Sequence, residues 1–99
     1  MEIKKNLEGN RLTLSLVGEL NTESAPMFEE VIKSSLAGIE KLVLDMNELT
    51  YLTSAGLRIL LVAQKIMKSQ GEMKIRGANA DVKEVFFLTG FNNVLEFED

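Results

Sequence analysis

The sequence predicts an α/β domain built on a mostly parallel central sheet, and three observations point to it. Residues 11–17 alternate Leu12, Leu14 and Leu16 with Thr13, Ser15 and Val17, the period of a strand with one buried face. From residue 21 onward, stretches with helical apolar spacing take turns with short apolar runs suited to strands. Each helical stretch opens beside Ser, Thr, Asn or Asp and stops near a glycine.

In chain order, residues 2–7 and 11–17 read as a hairpin turning at Glu8-Gly9-Asn10. Asn21, Thr22 and Ser24 each offer a cap to a first helix, which tolerates Pro26 in its first turn. That helix is expected to run to about Ala37, with Phe28, Val31, Ile32 and Leu36 at helical spacing and Gly38 as its stop. Residues 41–46 are short and mostly apolar, as expected of a strand covered on both faces. Residues 47–52 are expected to be a loop leading to a second helix over 54–69, closed by Gly71. Another short strand covers 73–76. Asn79 or Asp81 then opens a third helix, with Val82, Val85 and Phe86 inward and Gly90 as its stop. A last extended piece surrounds 94–97.

Composition bounds the function. A chain of 99 residues has the size of one domain, and 45% hydrophobic content suffices for a core. A net charge of -4 with no basic cluster argues against a nucleic-acid partner. The absence of cysteine removes disulfides, thiol catalysis and thiolate metal sites. The absence of histidine removes the commonest general base and the commonest metal ligand. Gly71, Gly77 and Gly90 fit neither a P-loop nor a dinucleotide fingerprint, so no cofactor or metal is expected. No apolar stretch approaches the roughly 20 residues that span a bilayer. The opening MEIKKNLEG lacks the apolar run of a signal peptide. A cytoplasmic protein without membrane insertion is the expectation.

The second helix is the informative segment. At about 100° per residue, Ile59, Leu60, Val62, Ala63, Ile66 and Met67 share one broad arc, which should face the sheet. Ser54, Arg58, Gln64, Lys65 and Lys68 lie opposite. Leu57 and Leu61 break the pattern by projecting in the sector of Ser54 and Arg58. Single surface leucines are common. A docking patch, with two apolar anchors beside a hydroxyl and a guanidinium, accounts for them equally well. Ser54 has two readings too. A serine opening a helix usually caps it, worth about 1 kcal/mol. The same position suits a phosphate, because a helix N-terminus presents free N–H groups and the positive end of the dipole. A nucleophilic serine is disfavoured: Leu52-Thr53-Ser54-Ala55-Gly56 lacks the leading glycine of a nucleophile elbow, and no histidine can serve as base. An enzyme is therefore not expected.

The run LVLDMNELTYLTSAGLRILL resembles the central motif of the STAS domain, as found in bacterial anti-sigma factor antagonists. Gly18-Glu19-Leu20-Asn21, Gly71 and Leu88-Thr89-Gly90-Phe91 extend the resemblance over essentially the whole chain, residues 1–99. It implies a single α/β domain whose four- to five-stranded sheet is mixed but mostly parallel, with helices packed on it and an N-terminal hairpin. It also implies partner switching. The unphosphorylated protein binds an anti-sigma factor that is a serine kinase, which releases a sigma factor; phosphorylation weakens that complex and a serine phosphatase restores it. By the motif match Ser54 is the acceptor, and the interface would involve Asn21, Thr22, Thr53, Ala55, Gly56, Leu57, Arg58 and Leu61. A free docking face implies a monomer. Many family members carry aspartate where this chain has Thr53 and Asn21, which makes Thr53 an alternative acceptor. STAS domains also serve as phosphorylation-independent modules of transport, lipid-trafficking or stress-signalling complexes.

Overall fold

The computed structural model describes residues 1–98. Strands β1 (Glu2–Glu8) and β2 (Arg11–Leu20) make the opening hairpin. Then come α1 (Ala25–Ser35), β3 (Lys41–Leu52), α2 (Ser54–Lys68), β4 (Glu72–Arg76), α3 (Ala80–Thr89), a helical turn at Phe91–Asn93, and β5 (Glu96–Glu98). The strands lie in sequence order in one five-stranded sheet, antiparallel only between β1 and β2. A single domain with a mostly parallel mixed sheet is therefore what the sequence predicted.

Burial shows which face the helices cover. Leu12, Leu14 and Leu16 on β2 are buried between half-exposed neighbours, and Met73 and Ile75 repeat the pattern on β4. With strands in sequence order, right-handed parallel crossovers place every connecting helix on one side. Phe28, Ile32, Leu60, Ala63, Val82 and Phe86 accordingly join those strand residues in one core. The opposite face is polar, with Lys41 paired to Glu72, Lys74 to Glu96 and Arg76 to Asp45. Residues 41–46 are thus helix-covered on one face only, contrary to the expectation of two. Val43 is nonetheless fully buried on the polar face, between its register neighbours Thr13 and Lys74.

Residues 47–52, expected to be a loop, are the second half of β3. They continue the pairing with β2 as far as Leu20 and Leu52. Two register shifts, between Ser15 and Val17 and between Gly18 and Glu19, each place an extra residue in β3. Such bulges break the alternation by which a strand is recognised in sequence. Beyond Asp45 this tail no longer pairs with β4, and Asn79 occupies the vacated side. Its Nδ2 donates to the Leu49 carbonyl (3.1 Å), while its Oδ1 accepts the Val82 N–H (2.8 Å) and so caps α3. Smaller differences lie at element ends. Helix α1 stops at Ser35, short of the expected Ala37, and residue 94 precedes the last strand, which starts at Glu96.

A close approach lies where α2 meets the ends of β2 and β3. Gly56 is buried, and a Cβ there would stand 2.5 Å from Leu20 Cγ and 2.8 Å from Leu52 Cδ1. Leu20 and Leu52 are themselves buried, at 0% and 2% exposure, and have little room to yield. Only glycine lets the first turn of α2 sit this low on the sheet. Gly56→Ala is expected to cost about 1–3 kcal/mol, the usual cost of overpacking a core, and chemical denaturation would read it as a lower midpoint. A midpoint equal to that of the unsubstituted chain would contradict this packing.

On the polar face, Asp45 accepts the Asn47 N–H (2.9 Å), Asn47 Nδ2 (2.8 Å) and Arg76 Nη2 (3.1 Å). Its partial burial alone would raise the carboxyl pKa. The bonds from Asn47 and the Arg76 charge outweigh that and hold the pKa below the ordinary carboxylate value. A depressed folded-state pKa contributes stability above the unfolded value of about 3.9 and loses it as pH falls through the folded value. As pH falls below about 4, Asp45→Asn should therefore lose less stability than the unsubstituted chain, measured as unfolding free energy against pH. Parallel curves would show that Asp45 contributes nothing.

Candidate functional site

The helix α2 begins at Ser54, and the cap position belongs to Thr53, which is extended at φ −111° and ψ 175°. This corrects the reading of Ser54 as the cap. The Thr53 carbonyl accepts the first helical hydrogen bond, from Leu57 N–H (3.0 Å), while its own N–H donates to the Leu20 carbonyl (3.0 Å). Its side chain makes no cap hydrogen bond. Instead the hydroxyl turns back toward the Leu20 carbonyl at 3.5 Å, the long limit for such a bond. Thr53 is half-buried and Ser54 exposed. Among the described residues no hydrogen bond engages the Ser54 hydroxyl. By position, the N–H groups of Ser54, Ala55 and Gly56 have no carbonyl partner within the helix.

The neighbouring turn is tied by reciprocal bonds. Asn21 Oδ1 accepts the N–H groups of Glu23 (3.0 Å) and Ser24 (3.1 Å), while Ser24 Oγ accepts the Asn21 N–H (2.9 Å) and donates to the Glu19 carbonyl (2.8 Å). The Asn21 carbonyl then accepts Ala25 N–H (2.8 Å), which starts the turn into α1. The bonds have the reciprocal form of a capping box but lie in the turn before α1, whose own cap position, Ser24, makes no side-chain cap bond. An amide oxygen at residue 21 accepts the two bonds a carboxylate would, without its charge. Because Leu20 pairs with Leu52, Asn21 and Thr53 emerge side by side at the carboxyl ends of parallel strands, where open α/β sheets usually place their sites. A concavity of about 660 Å³ lies beside this corner, lined by Gly18, Glu19, Asn21, Glu23, Met27 and Thr50 among others.

The outward surface of α2 differs from the helical-wheel expectation. Leu57 is only 4% exposed and belongs to the core, so it cannot be an accessible anchor. Helix α2 packs against α1 as well as the sheet, and its buried arc is therefore wider than a single sheet-facing stripe. Gly56 is buried as well. Leu61, Val62 and Ile66 are half-buried, Ala55 is half-buried, and Thr22 and Arg58 are exposed. Ser54, Thr53, Asn21, Thr22, Ala55, Arg58 and Leu61 thus share the accessible corner or its first two helical turns, and Gly56 and Leu57 support it from beneath. Sequence reasoning missed Met27 and Tyr51, exposed at 41% and 51%. Tyr51 sits across from Glu19 in the bulged tail of β3, and only recognition of that tail as a strand could have placed it. Far from this corner, Phe87 and Leu88 are exposed on α3 at 69% and 72%. Among the described residues no cluster of acidic side chains could hold a metal ion.

Comparison with known proteins agrees with this geometry. The STAS domain family model matches residues 2–99. BtrV of Bordetella bronchiseptica, whose assigned role as an anti-sigma factor antagonist is itself provisional, is 35% identical over 85 residues, covering 84% of this chain and 73% of that protein. The crystal structure of an anti-sigma factor antagonist from Mycobacterium paratuberculosis superposes with a TM-score of 0.88 at 21% identity, covering 97% of this chain and 83% of that one. The anti-sigma factor antagonist SpoIIAA of Bacillus, at 13% identity, superposes at 0.77 in its unphosphorylated form and 0.76 in its phosphorylated form. Those superpositions cover 99% of this chain and 88% and 92% of SpoIIAA. The match of the family model over residues 2–99 places this chain in the STAS domain family.

Proposed function

We propose that this chain is an anti-sigma factor antagonist that binds a serine-kinase anti-sigma factor while Ser54 is unmodified and loses that partner when Ser54 is phosphorylated. The observation that carries the reading is the contrast between two adjacent hydroxyls. Ser54 Oγ is exposed and uncommitted, whereas Thr53 Oγ1 is half-buried and turned toward the Leu20 carbonyl. Ser54 is therefore the acceptor in this account, and Thr53 is not.

In the transfer, Ser54 Oγ attacks the γ-phosphorus of ATP held by the partner, the bond to the β,γ-bridging oxygen breaks, and ADP leaves. The hydroxyl proton passes to a base on the partner, since this chain has no histidine. The chain is a substrate and a binding protein, and the chemistry belongs to the kinase. The docking face consists of Ser54 and its neighbours Asn21, Thr22, Thr53, Ala55, Arg58 and Leu61. A phosphate adds about -1.5 to -2 charges to a surface that binding would desolvate, and burying an unpaired charge is costly. Glu19 and Glu23, both exposed on the neighbouring turn, add like charge. Release then follows without refolding, and a phosphatase that removes the phosphate restores binding. This reading has the chain act in the cytoplasm as a monomer.

A second reading, a STAS module that binds regardless of phosphorylation, is favoured by the two neutral residues Asn21 and Thr53 at positions where the family often has aspartate. Binding of the candidate anti-sigma factor by the unsubstituted chain, Ser54→Ala and Ser54→Glu separates the two. Ser54→Ala should bind about as well as the unsubstituted chain, and Ser54→Glu at least about tenfold more weakly, a loss of about 1.4 kcal/mol. Equal affinity for all three would leave only the phosphorylation-independent module.

A further inference from the structure

We propose that phosphorylated Ser54 is held by Arg58, one helical turn further along α2, so that the modification also withdraws the one cationic side chain of the docking face. This rests on Ser54 being the acceptor and names how the modification acts there. Residues four apart on a helix are neighbours, with Cβ atoms about 5–6 Å apart, and an anion placed N-terminal to the cation is the favourable order. Ser54 and Arg58 have that spacing and order, and both are exposed on α2. A guanidinium also suits a phosphate, whose oxygens it can bind in pairs.

Arg58 is available for this. Among the described residues Lys33, Lys41, Lys74 and Arg76 are engaged in ion pairs, and Arg58 is in none. No other basic side chain competes with it: residues 18–32 and 47–61, which with Met1 supply the corner, contain none. Lys65 and Lys68 lie about 16 and 21 Å beyond Ser54 along the helix axis at 1.5 Å per residue. The first turn of α2 carries no acidic residue to occupy the guanidinium, and at Thr53, just before that turn, the aspartate common in the family is absent. In the unmodified protein Arg58 is thus free to meet an acidic group of the partner. In the modified protein it is turned back onto the phosphate, and the face loses its cation as it gains an anion.

The test needs no kinase. Phosphoserine is incorporated at residue 54 during translation, in the otherwise unsubstituted chain and in Arg58→Ala and Arg58→Lys, and the second phosphate ionisation is followed by ³¹P NMR against pH. Its reference value is about 6. Helix N–H groups and the α-ammonium of Met1 lower it, and Glu19 and Glu23 on the β2–α1 turn, Glu48 on β3 and Asp81 on α3 raise it, equally in all three proteins. Only the Arg58 contribution differs between them. The unsubstituted chain should titrate at least about 0.5 unit below Arg58→Ala at low salt, a difference in interaction of about 0.7 kcal/mol. Arg58→Lys should fall between them, and the gap should shrink near 1 M salt, where the Debye length is about 3 Å. Equal values in the unsubstituted chain and Arg58→Ala would overturn the proposal. That outcome is separate from failure of the acceptor assignment, which would appear as equal partner binding by Ser54→Ala and Ser54→Glu.

Discussion

The rest of the molecule depends on how closely the first turn of α2 approaches the carboxyl ends of β2 and β3. Gly56 has no room for a side chain against Leu20 and Leu52, and the Thr53 N–H is bonded to the Leu20 carbonyl at 3.0 Å. These two constraints set the height and tilt of the helix on the sheet. Leu57 is carried into the core by the same approach, and Ser54 is left at the outer rim, facing away from everything that stabilises the fold. The side chains that fix the corner are buried, while the one that would be modified is not. A phosphate could therefore be added at Ser54 with no buried contact to break.

The same division of labour explains the residues beside Ser54. A helix N-terminus normally recruits the hydroxyl or carboxylate of its cap residue to satisfy an N–H group. Here the Thr53 hydroxyl faces Leu20, so the N–H groups at the start of α2 stay unclaimed. The adjoining turn into α1 does the opposite: Asn21 and Ser24 bond reciprocally and hold the neighbouring chain segment rigid. One turn is closed and the next is open, and the open one carries Ser54. Glu19, Glu23 and Arg58 give the corner both signs of charge, rather than the neutral or basic surface that the sequence of α2 alone suggests.

Much of this was legible in the residues, for physical reasons that can be named. The alternating leucines of β2, the caps and glycine stops of the helices, and the order of elements led to the fold class, a mostly parallel sheet opened by a hairpin. The motif around Ser54 named this corner as the candidate site. What was not legible depended on tertiary context. Residues 47–52 read as a loop because two bulges disrupt their period, yet Leu49 and Leu52 are buried as strand residues. Leu57 read as an outward anchor because a helical wheel assumes one covered side, and α2 has two. Gly56 read as part of an interface because a glycine's role in close packing is visible only once the opposing leucines are in place.

The central claim is that this corner offers one hydroxyl for modification and withholds the one beside it. The most direct measurement is to incubate the intact chain with its cognate anti-sigma factor kinase and ATP and to locate the phosphate by fragment mass spectrometry. The account predicts a single phosphate on Ser54, with Thr53 unmodified, and no transfer to the Ser54→Ala chain. Phosphate on Thr53, or transfer that persists in Ser54→Ala, would contradict it.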